Sequence, residues 1–190
     1  MKNLILIMTI MLSSIVSSAQ SVFDKFEDKD EVTSVIVNQK MFKMLATMGI
    51  DADDPEMQGY IDMAASITSF KVFTTGDAKI AADMNATVAN YLKNSKMEEL
   101  MRVKDGDQTV NFYVREGKDE NHVKELLMFV NGIKEMTQGQ DITINGKKRE
   151  IETVLLTLTG DIDLRQISKL TSQMNMPGGE QLKKAGKNQN

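Results

Sequence analysis

The sequence contains no cysteine, and this absence excludes several classes of protein. A disulfide-stabilised scaffold, a thiolate metal site and a cysteine nucleophile all depend on that residue. Histidine is almost as scarce, since His122 is the only one. Zinc, iron and haem sites rely on imidazole or thiolate ligands. We therefore predict no metal site and no cofactor.

Catalysis of the serine–histidine–aspartate type would have to use His122. The sequence has no Gly-x-Ser-x-Gly segment to hold a nucleophile. We interpret His122 as an ordinary surface histidine at the start of a strand, and we predict no catalytic residue.

Positive charge is also limited, because 23 basic side chains face 27 acidic ones and the net charge is −4. Proteins that bind nucleic acid neutralise phosphates with clustered lysine and arginine. The sequence shows no such cluster and predicts no nucleic-acid partner.

Residues 1–19 are predicted to be a secretory signal peptide. Lys2 precedes an uncharged apolar run over residues 4–12, and Ser17-Ser18-Ala19 suits cleavage before Gln20. The run is shorter than the roughly 20 residues that span a bilayer, which favours a signal peptide over a membrane anchor. We expect an exported protein, periplasmic or extracellular, with no transmembrane segment after cleavage.

The clearest alternation of apolar and polar residues lies in residues 97–160 and predicts two consecutive antiparallel hairpins. The first joins strands 97–104 and 109–115 through Asp105-Gly106-Asp107. The second joins strands 122–130 and 149–159. Between these two strands, residues 131–148 contain two strong hairpin signals, Asn131-Gly132 and Asn145-Gly146, and are expected to extend the last strand as a projecting ribbon.

The first half of the chain predicts further strands and helices. β-Branched residues favour strands at 31–37 and 67–74. Helical spacing favours a helix that follows the cap Asn38 and ends at Thr47, and two more over residues 55–66 and 78–93. A last helix is expected to begin at Asp163, with Leu164, Ile167 and Leu170 as its apolar stripe.

These elements predict a single α+β domain over residues 20–176, followed by a disordered tail over residues 177–190. The sheet is mainly antiparallel, with the two C-terminal hairpins and one or two N-terminal strands, and its helices are expected to pack on one face. Val110, Phe112 and Val114 alternate with polar residues. One sheet face should therefore be buried and the other wetter.

Methionine is abundant, with 15 in the chain. Met41, Met44 and Met48 fall on one side of a helix. Thioethers bind Cu(I), but no histidine or cysteine lies close in sequence, so core packing is the favoured interpretation. The alternative is that these soft side chains line a pocket or an adaptable partner surface.

Two kinds of acidic group are candidate functional sites. Asp51, Asp53 and Asp54 resemble calcium ligands, but the required loop glycine is missing and helix capping explains them. The adjacent Glu98 and Glu99 point to opposite sides of a strand and cannot act as a pair. Glu150 and Glu152 would share a strand face, where they are most simply solvent-exposed groups.

Three segments carry a family resemblance: residues 22–26 (VFDKF), residues 32–44 (VTSVIVN leading into MFKM) and residues 156–164 (LTLTGDIDL). In them the chain resembles the domain of unknown function 4252 family over nearly all of residues 21–174. The resemblance implies a small exported protein of Bacteroidota-type bacteria and brings no active site with it. Many members look like lipoproteins with a cysteine after the signal peptide, and this chain has none.

We therefore expect a non-enzymatic binding or interaction module of the cell envelope. Its partner would be an envelope protein or a small apolar ligand. The alternative is an unrecognised hydrolase whose carboxylates are brought together by folding.

Overall fold

A computed structural model describes residues 21–47, 55–134, 143–144, 147–148 and 150–166. The described strands are β1 (Val32–Asn38), β2 (Ile67–Thr75), β3 (Glu98–Asp105), β4 (Gln108–Glu116), β5 (His122–Asn131), β6 (Thr143–Ile144), β7 (Lys147–Lys148) and β8 (Thr153–Asp163). The helices are α1 (Gln39–Thr47), α2 (Pro55–Ser66) and α3 (Ala78–Asn94), preceded by a short 3-10 turn at Asp24–Phe26.

Six strands form one antiparallel sheet in the order β1-β2-β8-β5-β4-β3. This arrangement confirms the predicted single α+β domain with two C-terminal hairpins, β3–β4 and β5–β8. The last strand differs from its predicted bounds, since it begins at Thr153 and continues to Asp163. It lies in the middle of the sheet, between β2 and β5.

The polar segment before β8 contains the predicted Asn-Gly hairpin. Thr143 pairs with Lys148 and Ile144 pairs with Lys147, on either side of Asn145-Gly146. The two strands form a sheet of their own and do not extend β8.

One face of the sheet is covered by α3 and the N-terminal turn. Asp77 starts α3, because its Oδ1 accepts hydrogen bonds from the backbone nitrogens of Lys79 and Ile80, both at 2.9 Å. The core beneath the helix contains Phe23, Phe26, Val32, Phe73, Ile80, Met84, Val88, Leu127, Phe129 and Leu155. Burial of each large side chain contributes about 1.5–3 kcal/mol to the stability of the fold.

The opposite face carries a second apolar cluster that includes Ile67, Leu126, Leu158 and Ile162. Phe42 of α1 packs against it. The helices therefore lie on both faces of the sheet, not on one as expected. Periodicity shows which side of a helix is apolar but not which face of the sheet that side will cover.

The polar face of the sheet was expected to be the more exposed one. In the structure, the polar residues of the sheet lie mainly under α3, so the polar face is covered. The buried polar residues are Thr75, Asn111, Glu125, Thr153 and Thr157, all on the α3 side by strand alternation. Hydrogen bonds satisfy several of them, as where Thr153 Oγ1 donates to Asn131 Oδ1 at 2.9 Å. On the more apolar face, Val110 and Phe112 are half-buried, whereas Leu126, Leu158 and Ile162 are buried.

Gly160 allows β8 to pass close to the end of α2. Its φ of +149° lies in a region that side chains rarely adopt, and a Cβ would be 2.4 Å from the carbonyl oxygen of Ser66. The sheet register between β2 and β8 shifts at the same point, between Ile67 and Ser69.

Several predicted features lie outside the described residues. They are the signal peptide at residues 1–19, the tail at 177–190, Met48, the acidic cluster at Asp51, Asp53 and Asp54, and the final helix beyond Gln166. Within the described ranges, no helix combines the length and apolarity needed to cross a membrane.

Candidate functional site

The exposed apolar side chains of the protein are concentrated at the junction of β1 and α1. Six large apolar side chains are exposed among the described residues, and four of them lie in this short stretch. Their exposed fractions are 48% for Val35, 38% for Ile36, 42% for Met41 and 47% for Met44. We call these four residues the β1–α1 surface. Val35 points to the sheet face on which α1 packs and Ile36 points to the α3 face, so the surface includes both sides of this sheet edge.

Local geometry explains why these side chains face outward. Asn38 Oδ1 accepts a hydrogen bond from the backbone nitrogen of Met41 at 3.2 Å, which starts α1 directly after β1. Phe42 turns inward onto the second apolar cluster. Met41 and Met44 are then left on the outer side of the helix.

The favoured interpretation of Met41 and Met44 as core residues was wrong. Their exposure agrees with the alternative, an adaptable partner surface, because a flexible thioether side chain fits many shapes.

Val35 is also the end of an apolar row that crosses the whole sheet. Each strand contributes one residue to this row, and each residue is the cross-strand partner of the next, on the face opposite α3. In order across the sheet the row contains Val35, Val72, Leu156, Met128, Phe112 and Met101. Apart from the exposed Val35, its members are half-buried. The β1–α1 surface is thus continuous with a partly exposed apolar face.

A polar cluster lies on the other side of the sheet, where α3 covers β4 and β5. Arg115 Nη2 donates to Glu125 Oε2 at 2.7 Å and to Tyr91 Oη at 2.6 Å. Tyr91 Oη lies 2.8 Å from both carboxylate oxygens of Glu125 and donates its proton to one of them. The Glu125 side chain is 11% exposed, and its charge is balanced inside the protein.

The cluster changes how readily Tyr91 ionises. Burial is the main cause, and the hydrogen bond to Glu125 together with its negative charge adds to it, raising the pKa of Tyr91 to about 12 from 10.0. The phenol therefore stays protonated and remains a hydrogen-bond donor through the physiological range.

A pH titration should reveal this tyrosine. After a rapid pH jump, near-ultraviolet absorbance should show one phenol that ionises near pH 12. Because the folded-state pKa is raised, the stabilisation from Tyr91 is complete below pH 10 and is lost as the pH rises towards 12. The loss should be about 1–2 kcal/mol after allowance for solvent screening.

Tyr91→Phe should remove the step near pH 12, whereas Tyr113→Phe should keep it. The pKa of Tyr113 is also raised, by burial first, so this variant is a matched control. Ionisation of every tyrosine near pH 10 in the wild-type protein would contradict the geometry of the cluster.

His122 lies at the start of β5, as predicted, and pairs with an acidic neighbour. Its Nδ1 is 2.7 Å from Asp119 Oδ1. The pKa of the Asp119 carboxyl is lowered, mainly by this hydrogen bond. Within the described residues, the imidazole of His122 bonds to a carboxylate and not to a serine hydroxyl. The pair stabilises the turn before β5.

The nearby acids of β8 are also engaged in ion pairs. Asp161 accepts from Lys118 Nζ at 2.6 Å, and Asp163 accepts from Arg165 Nη2 at 2.7 Å. Asp163 Oδ1 further accepts from the backbone nitrogen of Arg165, which agrees with its predicted role as a helix cap. In the part of the chain that the structure describes, no three metal-ligating side chains come together as a cation site.

The remaining carboxylate candidates are not brought together as a pair. Glu99 accepts from Arg102 Nη2 at 2.5 Å. Glu150 and Glu152 precede β8 and so do not share a strand face, which corrects the predicted position. Glu150 forms an ion pair with Lys134 at 3.0 Å.

One small pocket has carboxylates in its wall. It is lined by Glu31, Thr33, Thr74, Thr75, Gly76, Glu150 and Ile151 and has a volume of about 10 Å³. A space of this size holds about one water molecule. A substrate of ordinary size does not fit between these two glutamates.

Comparison with known proteins gives one match. Searches of curated proteins and of solved structures found nothing similar to this chain. The model of one family, described as a domain of unknown function (DUF4252), matches residues 26–170, which include every strand of the sheet and the β1–α1 surface. This match confirms the family resemblance in the sequence, and the chain belongs to the DUF4252 family.

Proposed function

We propose that this protein is an exported, non-enzymatic interaction module of the cell envelope and that it binds its partner through the β1–α1 surface. The observation that carries the proposal is the concentration of exposed apolar side chains at Val35, Ile36, Met41 and Met44. Exposed apolar groups that cluster at one edge of a sheet are costly in water, and in soluble proteins they commonly mark interaction sites.

The shape of the surface favours a protein partner over a small apolar ligand. Small-molecule sites are concave and enclose most of the ligand. Here the four side chains are each more than a third exposed, on an edge strand and the outer side of a helix. A protein with a flat or convex surface can contact these side chains, whereas they do not enclose a small molecule.

Export is supported by the sequence of residues 1–19. A charged start, an apolar run and a small-residue cleavage site are typical of secretory signal peptides.

A comparison of two variants tests the proposal. The exported chain, tagged at its C-terminus, is used to capture proteins from the envelope of the cells that make it. Met41→Glu combined with Met44→Glu places charge on the β1–α1 surface and should reduce capture of the specific partner at least about tenfold.

Leu100→Glu is the matched control, because Leu100 is 45% exposed on β3, the edge strand farthest from β1. This variant should capture the partner as well as the wild type does. Equal recovery with all three proteins would contradict the proposal. A hydrolytic activity of the purified chain that depends on Glu150 would instead support the alternative function.

A further inference from the structure

The two edges of the sheet are built very differently. β3 forms one edge, and five of its eight residues are charged: Glu98, Glu99, Arg102, Lys104 and Asp105. Its pairing with β4 is interrupted by an irregularity between Glu99 and Met101. Charges and bulges of this kind are the usual means by which proteins prevent an edge strand from pairing with another chain.

β1 forms the other edge and has neither protection. Its seven residues, VTSVIVN, include no charge and no proline. All seven pair with β2 without a shift in register, from Val32 with Thr75 to Asn38 with Ser69. Among the described strands, β1 has β2 as its only neighbour, so its outer side presents a regular row of backbone donors and acceptors.

The sequence of β1 is compatible with itself in antiparallel pairing. A twofold axis at Val35 places Val35 opposite Val35 of the second copy, and Ser34 opposite Ile36. No charged side chain is brought into this strand pairing. The apolar row that ends at Val35 would then continue directly into the same row of the second copy.

The charges at the two ends of β1 are complementary in the same arrangement. Asp30 and Glu31 precede the strand, and Lys40 and Lys43 follow in α1. All four are exposed, and none is in an ion pair within the described residues. Antiparallel pairing brings the acidic end of one copy beside the basic end of the other, which favours a second copy over an unrelated strand.

We propose that the protein forms a twofold dimer in which β1 pairs antiparallel with β1 of a second copy, so that the two sheets become one. This proposal deepens the proposed function, on which it rests, by naming a second copy of the chain as the partner of the β1–α1 surface.

A cysteine scan tests the geometry directly, because the natural chain has no cysteine. Directly opposed residues of an antiparallel pair have Cα atoms about 4.5–5.5 Å apart, a distance that suits a disulfide. Under mild oxidation, Val35→Cys should therefore form a covalent dimer in high yield. Leu100→Cys, equally exposed on the charged edge, should remain monomeric.

Sedimentation equilibrium tests whether these charges contribute to dimer formation. The wild-type chain should have twice the mass of one chain, whereas Val35→Lys, which opposes two ammonium groups at the axis, should weaken association about a hundredfold. Lys40→Glu should also weaken it, and adding Asp30→Lys to that variant should restore it. Such a rescue is not expected from a merely structural role of either residue.

A monomeric wild-type chain at high concentration, together with no Val35→Cys cross-linking, would overturn the dimer. If envelope capture still depended on Met41 and Met44 in that case, the proposed function would stand and a foreign protein would be the partner. If the dimer formed but the envelope yielded no specific partner, self-association alone would explain the exposed surface.

Discussion

Phe73→Ala is expected to lower the free energy of unfolding by about 4 kcal/mol. Phe73 is fully buried, with 0% of its surface exposed, in the middle of the core beneath α3. Its ring packs near that of Phe26, with 6.2 Å between the ring centroids. Truncation removes the apolar contacts and leaves a cavity that the surrounding sheet cannot close. Urea denaturation followed by circular dichroism measures the loss.

Phe112→Ala is the matched control on the opposite face of the sheet. Phe112 is only half-buried, so the same truncation should cost about 1–2 kcal/mol. Equal losses for the two variants would contradict the assignment of the better-packed core to the α3 face.

Arg115→Met is expected to lower the free energy of unfolding by about 2–3 kcal/mol at neutral pH. The substitution leaves the buried carboxylate of Glu125 with the Tyr91 hydroxyl as its remaining partner in the cluster. A buried charge that loses its counter-ion commonly costs 3–5 kcal/mol, and the smaller value allows for the 36% exposure of Arg115. The measurement is again the midpoint and slope of urea unfolding.

A second substitution separates the charge from the packing. Arg115→Met combined with Glu125→Leu removes both charges and should recover at least half of the lost stability, because an apolar pair needs no solvation. Glu125→Leu alone completes the comparison. If the losses of Arg115→Met and Glu125→Leu simply added in the double variant, the two residues would not be coupled, and the cluster would not act as a unit.

The strands and helices could be predicted from the sequence because their signals are local. Pro55 begins α2, and Asp105-Gly106-Asp107 marks the turn between β3 and β4, where Gly106 has a φ of +56°. The faces of the helices were harder to predict. Met41 and Phe42 are neighbours in α1, and only the position of the sheet decides that Phe42 is buried and Met41 exposed.

The polar cluster was missed, although the sequence held a signal for it. The loop between β4 and β5 is short, so the two strands form a hairpin whose register places Arg115 directly opposite Glu125. Opposite charges at facing positions are a recognised cross-strand pair. The third member, Tyr91, comes from α3, and its contribution depends on how that helix lies on the sheet, which no local pattern specifies.

The central position of β8 has a consequence for the order of events in folding. Within the sheet, this strand alone joins β1 and β2 on one side to β3, β4 and β5 on the other, and it is the last of the six strands in the chain. Phe73, for example, pairs with Leu155, roughly 80 residues later in the chain. The two halves of the sheet can join only after β8 has left the ribosome, and this dependence on pairings distant in sequence slows folding.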